Sequence, residues 1–226
     1  MTLDSTTPSS RPPLSPTPRS TLGRLPERAL LDREALDDVL DAGLICHLGV
    51  VVDGAPVVLP TGYGRDGDTL YLHGSTGASS LMAAAVGAPV CVTVTLVDGI
   101  VYARCAFRHS MNFRSAVIHG TLRRVTDRQE RMHGLEVLTQ HLAPGAWAHV
   151  RGPSEKEFAA TMVLAMDLTE ASVKFRAGDP GDEETDIERG GVWAGVLPVV
   201  TTFGTPIPSG DLDAMPTPDY VADRRL

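Results

Sequence analysis

The chain has 226 residues, 42% hydrophobic and 21% charged, with a formal net charge of -8 at pH 7. That balance describes a globular protein with a core, and its acidity argues against nonspecific nucleic-acid binding, which needs a basic face to neutralise phosphate. No apolar run approaches the roughly 18 residues of a membrane-spanning helix, and no apolar segment follows a basic one near the N-terminus as in a secretory signal, so a soluble, cytoplasmic protein is expected.

Residues 1–22 are rich in Ser, Thr and Pro and poor in large apolar side chains, the composition of a disordered tail that cannot offset its own ordering entropy. One domain is expected over residues 23–200 and an extended, Pro-rich tail over residues 201–226. Asp32 is placed to cap a short amphipathic helix carrying Ala35, Leu36, Val39 and Leu40, with Gly43 as its stop. The pattern then turns to strands: LICHLGVVV, an Asp53-Gly54 turn and APVVLPTGY make a hairpin, and the turn Arg65–Asp68 leads into TLYLHG. Thr76–Ala85 reads as a short helix.

APVCVTVTLV is a further strand, with Asp98-Gly99 expected to turn it back into IVYARCAF. FRSAVIHGTLRRV follows as a strand in which Gly120 marks a bulge or a close backbone approach. Thr126–Gln129 fits a capping box opening a helix through Met132, Leu135, Leu138 and Leu142, stopped by Pro144-Gly145. Ser154–Glu157 is a second capping box, ahead of the strand-like TMVLAMDLTEASVKFR. An acidic stretch, Asp179–Glu188, then leads to WAGVLPVVTTFG. Short strands joined by turns, with helices inserted rather than alternating, favour a mainly β antiparallel barrel over a doubly wound sheet.

Two stretches carry chemistry. In LYLHGSTGASSL a strand ends in Gly and hydroxyl residues as a helix begins, so backbone N–H groups with Ser75, Thr76, Ser79 and Ser80 are suited to an anion such as phosphate, or to ordinary capping. In HSMNFR, His109 offers an imidazole for hydrogen bonding or proton donation, Asn112 an amide, and Arg114 a guanidinium for bidentate phosphate pairing. Lys174 with Arg176, and Arg24 with Arg28, are further cations, more usually solvated. Cys46, Cys91 and Cys105 read as buried thiols, and His47 and His119 as structural histidines. No ligand spacing points to a metal.

These segments together resemble the pyridoxamine 5'-phosphate oxidase-like proteins of the FMN-binding split-barrel superfamily, in the branch of flavin-nucleotide-binding proteins and 5-nitroimidazole reductases. The resemblance runs from about Arg24 to Pro198, through DGAPVVLPTGY, TLYLHGS, APVCVTVTLVDG, HSMNFRSAVIHG and VWAGVLP. It implies a six-stranded antiparallel split β-barrel with inserted helices, acting as a homodimer with FMN at the subunit interface. It places Pro60 and Thr61 beside the flavin ring and His73, Gly74, Ser75 and Thr76 at its phosphate. Relatives carry a basic residue where this chain has Ser79 and Ser80, a departure that leaves the phosphate to hydroxyls, N–H groups and Arg114. Ser115 stands where many of these oxidases have a flavin-contacting Gln, and Trp193 is placed to reach the other subunit's site. The implied function is FMN-dependent oxidoreduction of a small molecule, with His109 facing the substrate. The alternatives are a non-catalytic flavin carrier or sensor, and a barrel using haem or a deazaflavin.

Overall fold

The computed structural model describes residues 13–14, 17–75, 86–212 and 215–225. The helix expected over Thr76–Ala85 lies outside the described residues. Eleven strands form two antiparallel sheets among those described. The strands are β1 (Ala29–Leu30), β2 (Cys46–Val52), β3 (Ala55–Thr61), β4 (Tyr63–Asp66), β5 (Thr69–Ser75), β6 (Pro89–Tyr102), β7 (Ser110–Thr121), β8 (Arg123–Arg124), β9 (Thr161–Asp167), β10 (Ala171–Arg176) and β11 (Gly195–Pro198). The large sheet runs β1-β10-β7-β6-β2-β3, with β11 also paired to β6; the small sheet runs β4-β5-β9-β8. The mainly β fold with inserted helices is that of the split-barrel type, but as two facing sheets and with more strands than the six expected.

The hairpin is as the sequence dictates: Asp53 and Gly54 both adopt positive φ, 49° and 78°, the geometry of a two-residue turn matched to strand twist. The helix α1 (Arg33–Ala42) starts where Asp32 accepts a hydrogen bond from the Ala35 N–H, and it buries Leu36, Val39 and Leu40 against the sheet. Between the sheets these residues meet Leu48, Val92, Ile118, Leu72 and Leu164, forming the main core. A second, smaller core of Tyr71, Leu138, Val163 and Ala165 lies under the helix α2 (Arg128–Leu142) on the other face of the small sheet. With both its faces covered, β9 buries five successive residues, which is why TMVLAM reads as an unbroken apolar run.

Several boundaries differ from expectation for identifiable reasons. Asp98-Gly99 is not a turn: β6 runs straight through it with a register shift between Val97 and Gly99, and both halves stay paired to β7. Gly99 is instead a site of close approach, where a Cβ would stand 2.9 Å from Val196 Cγ1 of β11. Gly120 keeps regular register with Val90, and it too marks a close approach, a Cβ there lying 3.0 Å from Met166 Cε. The first capping box is replaced by a single cap one residue on, since Asp127 rather than Thr126 accepts from the Glu130 N–H and the Glu130 carboxylate is taken by Arg123. The second is complete at Ser154 and Glu157, opening the helix α3 (Glu155–Ala160). The run after it is two strands in different sheets, because the chain crosses from β9 to β10 at residues 168–170.

Short helices α4 (Glu184–Arg189) and α5 (Asp219–Ala222) punctuate the acidic stretch and the C-terminal segment. In the stretch expected as a tail, Leu14 is 2% exposed within the main core and donates its N–H to Leu31 O, and Thr17 and Arg19 both bond to Glu170.

Candidate functional site on the outward face of the large sheet

Strand alternation assigns the two faces of the large sheet. On β2, Cys46, Leu48 and Val50 point into the core, and His47, Gly49 and Val51 point away from it. Register carries that outward face across the sheet: His47 stands beside Pro60 and Thr93, Thr93 beside Val117, and Thr95 beside Ser115, which is itself beside Lys174. Val51 and Val58 are 61% and 63% exposed here. A sheet face left with valines, prolines and hydroxyls is the composition of a covered surface rather than a solvated one.

The face also corrects several expectations. His47 is exposed and His119 half-buried, and neither imidazole makes a hydrogen bond among the described residues, so neither is the satisfied structural histidine expected. Of the expected flavin neighbours, Pro60 points outward, whereas Thr61 pairs with the core residue Cys46 on the opposite face and donates to Gly62 O. Only Cys46 is a fully buried thiol, and burial pushes it up to about 12; Cys91 and Cys105 are half-buried.

One end of the face is aromatic. Tyr102 closes β6, with the His109 ring edge-on at 5.9 Å and the Trp193 ring at 5.8 Å between centroids. The indole can lie there because β11 brings Gly195 opposite Tyr102, and a Cβ on Gly195 would come within 3.0 Å of the Trp193 ring. Trp193 is 68% exposed, Phe107 is 89% exposed, and Met111 and Leu197 are also exposed. His109 Nδ1 lies 3.0 Å from Cys105 O. A carbonyl only accepts, so Nδ1 carries the proton and Nε2 holds the free lone pair. The structure thus brings His109 and Trp193 together through Tyr102, a residue that sequence reasoning passed over because it reads as an ordinary strand aromatic.

The other margin is basic. β1 pairs with β10 so that Ala29 faces Lys174, which brings the two pairs of cations noted in the sequence to one place. Lys174 Nζ donates to Arg24 O at 3.4 Å, and burial together with the neighbouring Arg28 pulls the Arg176 guanidinium down from its usual value. None of Arg24, Arg28, Lys174 and Arg176 has a carboxylate partner among the described residues, and the Arg176 guanidinium is held by neutral acceptors, Asn112 Oδ1, Gly178 O and Asp179 O.

Arg114 and Asn112 are otherwise engaged. The Arg114 guanidinium forms two hydrogen bonds to Asp98, at 2.8 and 3.1 Å, and that carboxylate raises it above its usual value. Asn112 is buried, donates to Gly178 O at 3.2 Å and accepts from Arg176. Both point to the core side of β7, as structural members rather than free ligands. His73, Gly74 and Ser75 end β5 on the small sheet; the His73 side chain lines an apolar groove of about 250 Å³ with Leu135, Leu138 and Leu142. Thr76, Ser79 and Ser80 lie outside the described residues. No group of three His, Cys, Asp or Glu among the described residues is placed to hold a metal ion, and no helix among them is long and apolar enough to cross a membrane.

Known proteins bear on this arrangement. The chain superimposes on the flavocytochrome Anf3 from Azotobacter vinelandii with a TM-score of 0.88 and 35% identity, over 95% of this chain and 100% of that one. The FAD and haem binding protein from Mycobacterium smegmatis gives 0.82 and 40%, over 86% and 95%. A 5-nitroimidazole antibiotic resistance protein from Bacteroides thetaiotaomicron shares the fold, at 0.55 and 23% over 65% and 85%. No curated protein matches the chain at a significant level. The sequence model described as pyridoxamine 5'-phosphate oxidase matches residues 32–175, well over half the chain, and the protein belongs to that family.

Proposed function

We propose that the protein is a flavin-nucleotide-binding redox protein that works as a homodimer, two copies meeting through the outward faces of their large sheets. The observation that carries this reading is the cluster of Arg24, Arg28, Lys174 and Arg176, without carboxylates, at the margin of an outward face that is otherwise apolar and hydroxylated. A nucleotide couples an anion to a flat, largely apolar ring system, and this face offers both chemistries. The residues present therefore fit the group. The cluster also supplies the cations that Ser79 and Ser80 do not.

Pro60, His47, Thr93 and Ser115 line the outward rows available to the ring, and Gly74 and Ser75, which the family resemblance sets at the phosphate, end β5 on the small sheet. In a dimer, the basic margin of one copy faces a nucleotide carried on the other. When bound, the flavin supplies the electron chemistry, and the chain positions it against a small-molecule substrate. His109 Nε2, the free nitrogen, takes or returns the substrate proton in a cytoplasmic setting.

Titration of the apoprotein with FMN and with FAD tests the reading. Binding of either near one per subunit, lost by about 10- to 100-fold in Lys174→Ala and Arg176→Ala, is expected from the loss of hydrogen bonds to a charged group. Absence of retention of both nucleotides removes the reading. FAD preferred over FMN fits four cations better than a single phosphate requires.

A second reading, a flavocytochrome, is favoured by the two solved structures named above. Each is at least 35% identical and covers 86% or more of this chain, well beyond residues 32–175. Both carry haem with flavin by their descriptions. In this chain the flank beyond residue 175 holds Trp193, β11 and the C-terminal segment.

A further inference from the structure

We infer that His109 is a ligand for haem iron, through Nε2, with Tyr102 and Trp193 offering aromatic surface to the macrocycle; this rests on the flavocytochrome reading above. Three observations converge. First, the imidazole is already set as metal-binding histidines are: the ring nitrogen that does not bind metal donates to a backbone carbonyl, Cys105 O at 3.0 Å, which fixes the tautomer and the ring orientation and leaves Nε2 as the donor atom. Among the described residues His47, His73 and His119 make no such bond, His141 uses its Nε2 on Gly43 O, and His133, whose Nε2 pairs with Asp66 at 2.8 Å, lies on α2 over the small sheet.

Second, the surroundings suit a large planar apolar group. Trp193 at 68% and Phe107 at 89% exposure are large side chains left open to water beside His109, with Met111 and Leu197 at the same end of the sheet. Covering them with a macrocycle removes apolar area that the described residues of a single copy leave exposed. Third, the platform is built: Trp193 is held over Tyr102 because Gly195 has no side chain to displace it. The 3-10 turn Ala106–Arg108 that presents His109 is pinned through Arg108 to Glu183, and its approach through Arg104, which donates to Asp182 at 2.7 Å. Placed there, the haem lies on the same outward face as the proposed flavin, the two cofactors share one interface, and His109 Nε2 is committed to iron in place of the substrate proton it carries in the flavin-only reading.

The test uses the full-length protein, made without haem and reconstituted with iron protoporphyrin IX, read by absorption in ferric, ferrous and carbonyl-bound states. The expected result is a Soret band at about one haem per subunit in the wild type. In His109→Ala, affinity should fall by at least about tenfold with a shifted Soret band, and added imidazole should restore the wild-type spectrum. Circular dichroism and the thermal midpoint report whether that variant folds. If it does not, His109→Met keeps a ligand at the site and must change the low-spin spectrum. A wild-type spectrum in either folded variant overturns the assignment, and loss of the band in His73→Ala alone would move the haem to the groove beneath α2. A wild type that takes up flavin but no haem removes the flavocytochrome reading and this assignment together, and leaves the flavin proposal standing.

Discussion

Arg114 illustrates how a side chain's chemistry and its partner are separate pieces of information. A guanidinium between two strands is a sound phosphate candidate by type, but Asp98, the unpaired residue at the irregularity of the neighbouring strand, satisfies it with two hydrogen bonds. Arg114→Ala is therefore expected to act on the fold, and because the pair is about one-third exposed, the loss should not exceed about 1 kcal/mol in urea unfolding. A drop in nucleotide affinity larger than that would return Arg114 to the site. The cations at the basic margin were legible as residues, since Lys174 and Arg176 alternate along one strand and Arg24 and Arg28 precede the first helix. Their convergence was not, because it depends on a two-residue strand pairing across more than a hundred positions. Tyr102 was illegible for a similar reason: its role comes from a neighbour, Gly195, that reaches it only through β11.

At the scale of elements, local rules decided what local rules can. The Asp53-Gly54 hairpin and the Ser154–Glu157 capping box each satisfy their own geometry within a few residues. Asp98-Gly99 has the same dipeptide as the hairpin turn, but pairing with β7 on both sides of it keeps the strand extended. Helix α2 rests on the backbone of β4, where a Cβ on Gly64 would lie 2.7 Å from Val137 O and 3.0 Å from Leu138 Cα. Because both neighbours are main chain, Gly64→Ala should displace the helix and cost about 1 to 3 kcal/mol, read from the shift of a denaturation midpoint. A variant as stable as the wild type would show that α2 rides on its side chains alone.

For the whole molecule, the junction of α1, β4 and α2 makes stability depend on pH. Tyr63 donates its hydroxyl to Leu40 O at 2.6 Å and Gly43 O at 3.0 Å, and His141 donates Nε2–H to Gly43 O at 2.7 Å with its ring 4.6 Å from that of Tyr63. Burial pulls the His141 imidazole below its usual value of 6.5, against Asp41, which favours the charge, and with Arg224 and Arg65, which oppose it. A lowered value in the folded state means that, as pH falls below 6.5, the unfolded chain takes up a proton first. The contribution is fully present above that pH and is lost on acidification. The unfolding midpoint should fall as pH drops below 6.5, with the dependence flattened in His141→Gln; an unchanged slope would exclude His141 as its source. Glu130, Glu155, Glu157 and Glu170, each lowered by an arginine partner, add a further loss below about pH 4.5.

The irregularity in β6 also sets what the outward face is made of. Before it, even-numbered residues, Val90, Val92 and Val94, turn inward; after it the buried positions are Gly99 and Val101. The strand thus carries two reading frames, and Asp98 is the inserted letter that switches them. In the first frame the outward residues are Cys91, Thr93, Thr95 and Val97; in the second they are Ile100 and Tyr102. Without the switch, Tyr102 would sit in phase with the valines of the core and the platform beside His109 would have no floor. Asp98, whose carboxylate also grips Arg114, therefore anchors the position at which one continuous strand stops presenting hydroxyls and begins presenting aromatic surface.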